Sequence, residues 1–189
     1  MKTTMAFDNR PAEQSNAAID ARAFRTALGR FATGIVVVST RLDGVRHAMT
    51  ANAFMSGSLE PPLVLVSIGR RSRMHGFLER ASDYGVAVLT EAQERQSRQF
   101  AGQNTGRFAP SFEELSGVPV LAAAAARIAA HIVHRYDCGD HTLFVGEVMA
   151  IALEEQASPL LFYAGKYATL GLPRDISPGA GPDALPFFY

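Results

Sequence analysis

The chain has 189 residues, with 18 basic and 18 acidic side chains and no formal net charge. That length predicts one domain able to bury roughly two-thirds of its unfolded surface without disulfide staples. The charge balance excludes the basic field expected of a binder of nucleic acid or anionic membranes. The one cysteine, Cys138, has no intrachain partner, which points to a reducing cytoplasm. No secretory h-region opens the sequence and no run is long enough to span a bilayer, so the chain reads as soluble.

Three segments are expected: a flexible arm over residues 1–18, a folded domain over 19–172 and an extended Gly/Pro-rich tail over 173–189. Phe187, Phe188 and Tyr189 close that tail and would be an association liability unless they dock. Within the domain, Ile19, Phe24, Leu28 and Phe31 recur at the spacing of one helix face. Residues 35–40 are a β-branched run fit for a buried strand, and Asp43-Gly44 predicts a hairpin turn. Further strands are expected at 48–54 and 63–68, the second entered through Pro61 and Pro62.

Ser72 reads as the N-cap of a short helix with Met74, Phe77 and Leu78 on one side. A strand follows at 84–89. Thr90 and Gln93 then form a capping box for a helix ending near Phe100, with Gly102 in its C-cap region. Residues 103–120 read as an irregular excursion anchored by Phe108, Phe112 and Leu115, and so as a rim or lid. The alanine-rich residues 122–130 favour a helix on propensity alone. A turn at 137–140 leads to a strand at 141–148, and a last short strand is expected at 160–163. Strands joined by hairpin-length connections predict a mainly β antiparallel barrel with a few peripheral α-helices.

The chemistry concentrates in residues 47–72. Thr50, Ala51, Asn52 and Ser56 form a small-residue polar stretch against which a planar ring can lie, with hydrogen-bonding groups for its heteroatoms. Arg70, Arg71 and Ser72 stand at a helix start, where forked cations and free N–H groups suit a phosphate. Taken alone, the two arginines read as solvated surface charges. Thr50 and Asn52 alone read as residues that satisfy their own turn. Ser97 reads as a helix-surface serine, and His47, His75, His131 and His134 lack metal-ligand spacing, so no metal is expected.

The strings Phe31-Ala32-Thr33-Gly34, Thr50-Ala51-Asn52-Ala53-Phe54, Glu60-Pro61-Pro62-Leu63, Ser97 with Phe100-Ala101, Gly139-Asp140-His141 and Gly165-Lys166-Tyr167 occur in this order. Together they resemble the flavin reductase-like family, the NAD(P)H:flavin oxidoreductases that serve two-component flavin monooxygenases. The resemblance covers about residues 20–170 and implies a Greek-key split β-barrel and a homodimer with flavin near the subunit interface. It implies FMN or FAD as cofactor, NADH or NADPH as co-substrate, and a separate monooxygenase partner. Carried onto this chain, Thr50, Ala51, Asn52 and Ser56 would line the flavin ring, and Arg70, Arg71 and Ser72 would hold the phosphate. Phe100, Ala101 and Gly102 would close the ribityl-phosphate end. His141, as the catalytic residue, and Tyr167 would face the nicotinamide.

Two departures stand out: Ala87 where the family usually carries an asparagine, and the plain alanine run. Hydride transfer between two cofactors needs positioning rather than a nucleophile or metal. A reductase that keeps its flavin, and a non-enzymatic flavin-binding module, are the alternatives.

Overall fold

The computed structural model describes residues 19–106 and 108–171; the arm expected over 1–18 and the tail over 173–189 lie outside the described residues. The elements in order are α1 (Ala21–Leu28), β1 (Thr33–Gly34), β2 (Val36–Leu42), β3 (Val45–Ala51), β4 (Phe54–Leu59), β5 (Pro62–Gly69), α2 (Arg73–Arg80), β6 (Asp83–Val88) and α3 (Glu94–Phe100). They continue with β7 (Phe112–Leu115), β8 (Val118–Leu121), β9 (Ala126–Cys138), β10 (His141–Leu153), β11 (Leu161–Tyr163) and β12 (Lys166–Ala168). Among the described residues no helix is long and apolar enough to cross a membrane.

Seven strands form one antiparallel sheet in the order β3-β2-β6-β9-β10-β5-β4. Laid flat, seven strands at about 4.8 Å spacing would put the two edges about 29 Å apart. Yet the edge strands β3 and β4 are consecutive in the chain, separated only by Asn52 and Ala53, so Ala51 and Phe54 are within about 11 Å of each other. The sheet must curl to bring those two strand ends together, the curvature of the split barrel expected from the sequence.

Alternation along β2 assigns two cores. Val36 and Val38 point into the barrel with Val66, Tyr84, Val86 and Phe144. Ile35 and Val37 face outward into a second cluster with Leu89, Leu121 and Leu160. Tyr84 crosses the barrel interior fully buried and its hydroxyl donates to the Val64 carbonyl at 3.0 Å; burial pushes its pKa up. Asp43 and Gly44 form the predicted tight turn, both at positive φ. Ser72 caps α2, its hydroxyl accepting from the His75 N–H at 3.2 Å.

Four expectations change. The strand expected at 48–54 is two strands, β3 and β4, with a bend at Asn52 and Ala53. The excursion expected at 103–120 contains a hairpin, β7 and β8, turning through Ser116 and Gly117 at φ 47° and 79°. It is clamped to the barrel by Arg127–Glu113 at 3.0 Å, by the Arg41–Glu114 pair and by Arg46 over the Phe112 ring. The alanine-rich stretch is no helix: Ala123 sits in a turn at φ 57°, and Ala126 opens the 13-residue strand β9. Strand partners on both sides of β9, β6 and β10, override a helix propensity worth well under about 1 kcal/mol per residue. Small side chains are required there, since Ala129 and Ala130 are fully buried and a Cβ on neighbouring Gly146 would meet that of Ala130 at 2.8 Å. The strand expected at 141–148 runs on to Leu153.

The same tightness fixes β8 against β6. A Cβ on Gly85 would lie 2.7 Å from both the Pro119 carbonyl oxygen and Val120 Cγ1, beside the Ser39 hydroxyl that donates to that carbonyl. Gly85→Ala is therefore expected to destabilise the fold by about 1–3 kcal/mol through overpacking, read as a lower midpoint in chemical denaturation.

Candidate functional site

The site begins where β3 stops. Past Ala51 the chain leaves the β2 ladder, and the Ser67 N–H anchors it again by donating to the Ala53 carbonyl at 3.0 Å. The gap opens a cleft of about 550 Å³ between the end of β3, α3 and the β11–β12 hairpin. Thr50, Ala51 and Asn52 form one wall, Ser97 and Arg98 of α3 with Ala101 just past its end another, and Gly165, Lys166 and Tyr167 a third, with Ile35 and Phe162 as apolar lining. A second, more apolar groove of about 650 Å³ adjoins it, lined by Leu28 and Phe31 near α1 and by Met55, Leu65 and Leu143 on the outer face of the sheet. Asn52, Phe162 and Gly165 line both.

A hydrogen-bond relay holds the three walls together. The Thr50 hydroxyl donates to the Ser97 carbonyl at 2.7 Å, and Ser97 Oγ lies 3.0 Å from the Tyr167 hydroxyl. The start of α3 is pinned by Gln93, whose side-chain carbonyl accepts from the Thr90 N–H at 3.1 Å and whose amide donates to the Ala122 carbonyl at 2.9 Å. Arg98 lies over the Tyr167 ring at 4.6 Å and is bonded to Glu94 at 2.7 Å. Among the described residues Lys166 has no carboxylate within salt-bridge distance, so its charge is free to act on the cleft.

Of the residues singled out in the sequence, Thr50, Ala51, Asn52, Ala101 and Tyr167 meet in this cleft. Phe100 instead packs into the second core, edge-on to Phe112 at 5.8 Å. Gly102 ends α3 at φ 83°, and Ser56 lies in β4 opposite Val64; neither lines the cleft. Arg70, Arg71 and Ser72 also lie outside its lining. The Arg70 guanidinium pairs with Asp137, the Arg70 backbone N–H donates to the Asp140 carbonyl at 2.9 Å, and Ser72 is spent on capping α2.

His141 stands with this second group. It pairs with Gly69, which precedes Arg70, and its Nδ1 is 2.7 Å from Asp140 Oδ1. Hydrogen bonds from Arg70 and His141 hold the Asp137 and Asp140 carboxyls, respectively, below the usual carboxylate range. Any stability these exposed carboxylates lend is present above their unfolded pKa and is lost as pH falls through the lower folded values.

Sequence reasoning missed Ser97 as a buried residue. Its signal was available: Gln93, Ser97 and Phe100 share one face of α3, so the serine lies on the packed side. Phe162 and Lys166 carry no such local signal, because the β11–β12 hairpin reaches the cleft only through the fold.

A curled sheet with a ring-sized cleft at its split, small residues on the cleft walls and hydrogen-bonding groups around them defines a split-barrel binder of a planar cofactor. Residues 28–171 match the family model described as flavin reductase like domain. An NADH-dependent flavin reductase from Rhodococcus sp is 42% identical over 152 residues, covering 78% of this chain and 85% of that protein. The reductase component of 4-hydroxyphenylacetate 3-monooxygenase from Thermus thermophilus is 39% identical over 151 residues, covering 80% and 97%. The solved structure of the flavin reductase PheA2 in its native state superposes with a TM-score of 0.79 at 47% identity, covering 81% of this chain and 99% of that one. The chain belongs to the flavin reductase-like family.

The Ser97–Tyr167 contact is expected to couple cleft geometry to stability. Tyr167→Phe leaves the buried Ser97 hydroxyl without its partner and should cost about 1–3 kcal/mol. Adding Ser97→Ala should recover part of that loss, and a denaturation double-mutant cycle measures the coupling.

Proposed function

We propose that this chain is an NAD(P)H:flavin oxidoreductase that reduces FMN or FAD with NADH or NADPH and supplies the reduced flavin to a separate monooxygenase. The observation that carries this reading is the cleft at the β3–β4 split, where Ala51, Ala101 and Gly165 leave room for a flat ring and Asn52 offers an amide to its polar edge. The donor set fits a flavin. When bound, the flavin supplies the ring that accepts hydride. The chain's own residues do the rest. Ile35 and Phe162 exclude water from one side, and the Thr50–Ser97–Tyr167 relay keeps the walls in register. The Lys166 ammonium favours negative charge developing in the cleft.

Arg70, Arg71 and Ser72 are the proposed phosphate contacts. They begin three residues past Ser67, which lines the groove that shares Asn52 with the cleft. Ala101 lines that side of the cleft, flanked in the chain by Phe100 and Gly102, and Ser56 of β4 is the remaining proposed flavin contact. His141, paired with Gly69 just before the arginines, is the proposed catalytic group on the nicotinamide side, with Tyr167 as its counterpart in the cleft.

The working unit is a homodimer in the cytoplasm. Helix α1 is amphipathic yet buries no residue, leaving Phe24, Leu28 and Phe31 at 54%, 58% and 76% exposure. A second copy covering that face and the adjoining groove would remove an apolar patch that a monomer rarely tolerates. The single cysteine, exposed at the β9–β10 turn, accords with a reducing compartment.

Steady-state oxidation of NADH and NADPH, with and without added FMN or FAD, tests the activity. Turnover proportional to added flavin is expected, and no turnover with any flavin sinks the reading. The phosphate assignment is tested by Arg70→Gln/Arg71→Gln. FMN affinity should fall about tenfold, as expected for losing a charge-assisted contact, while riboflavin affinity holds. Equal losses for both ligands would contradict it.

A further inference from the structure

Strand β10 outruns its neighbour β5. The register between them ends where Leu63 faces Glu147, just after β5 begins at Pro62, whereas β9 stays paired with β10 as far as Leu153. Among the described residues, the stretch 148–153 therefore has a strand on one side only. Residues directly opposite one another in a sheet share a face. Ile151 thus ends a row that runs through Ile128 and Val86 to Val38, and Leu153 ends the next, through Ala126 and Val88 to Val36. The inner members Val36, Val38 and Val86 are buried in the barrel core. Ile151 and Leu153 are 58% and 68% exposed, and Met149, at the bulge before them, is exposed too. The barrel core runs out onto an uncovered apolar lip, which lines neither the cleft nor the groove beside α1.

We infer that the segment Ala184-Leu185-Pro186-Phe187-Phe188-Tyr189 of the same chain covers this lip. An unpaired sheet edge with exposed apolar side chains is an association liability, and so are three aromatics on a tail. Each supplies the apolar partner that the other lacks. The tail also sets out from the right place. Ala168 of β12 pairs with Leu161, and Leu161 follows Leu153 by eight residues, which puts the start of the tail within about 35 Å of the lip. The nineteen residues from Ala168 to Phe187 span up to about 65 Å when extended.

Tethering favours this tail over a free partner. A segment joined to its site by a short linker meets it at an effective concentration in about the millimolar range, above that of a second copy in ordinary solution. Pro182 and Pro186 are no obstacle, since an edge position leaves alternate N–H groups facing solvent. The family match ends at residue 171, so this cover is an addition to the shared domain.

The chain contains no tryptophan, so Phe188→Trp in the full chain is a unique reporter. Docked on the lip, its emission should lie to the blue of a solvated indole and resist quenching by acrylamide. Adding Ile151→Asp/Leu153→Asp should move the emission to that of a solvated indole, and circular dichroism shows whether the barrel persists in that variant. Phe187→Asp in the reporter chain leaves every residue of the barrel as it is and should shift the emission the same way. A solvated emission from the reporter chain itself overturns the inference. So does a blue emission that survives the lip substitutions in a folded barrel, or that survives Phe187→Asp. A blue emission that responds instead to Phe24→Asp puts the tail on α1, and one lost on dilution puts it on a second copy; either overturns the inference as well.

Discussion

The two edges of one seven-stranded sheet are held together by a two-residue link, Asn52 and Ala53. Everything else about the molecule follows from satisfying that constraint. A sheet forced to meet itself must enclose its inner face, and Val66, Val86 and Phe144 fill the enclosure. The link itself lies outside both strands, and the gap it leaves is the cleft. Site and barrel are therefore one geometric fact, since the backbone that closes the sheet is the backbone a flat ligand would lie against.

The outer face is used as fully as the inner one. The β7–β8 hairpin and the residues around Leu160 cover Ile35, Val37 and Leu89, so the strands near the cleft are buried on both sides and have little freedom to move. Rigidity of this kind suits a reaction in which two ring systems must be held in register and the protein contributes positioning. The relay from Thr50 through Ser97 to Tyr167 transmits that rigidity to the two walls that come from elsewhere in the chain.

Local signals were legible wherever one residue type has one mechanical use. Asp43-Gly44 could only be a tight turn, Ser72 capped a helix, and Thr90 with Gln93 opened the next, all as the structure has them. The alanine run misled because alanine's helix preference is small beside two flanking strands, and because its small size, decisive against Tyr84 and Gly146, is a property of neighbours rather than of the run. The site was legible in part for the same reason. Thr50, Ala51 and Asn52 announce a polar, small-residue stretch, whereas Phe162 and Lys166 become site residues only when the last hairpin folds back onto α3. Arg70 was visible as a cation, but its pairing with Asp137 across the β9–β10 turn was not.

Helix α1 has one further consequence. It is eight residues long, capped by Asp20 and with no residue buried in its own chain, and a helix that short is marginal in water on its own. In the proposed homodimer its apolar face would be covered by the second subunit, so its persistence becomes a matter of mass action. The same helix carries Arg22 and Arg25 and ends beside Gly29. Dilution of the protein would therefore loosen α1 before it disturbed the barrel, and protein concentration itself would act as a variable in the order of the chain's first helix.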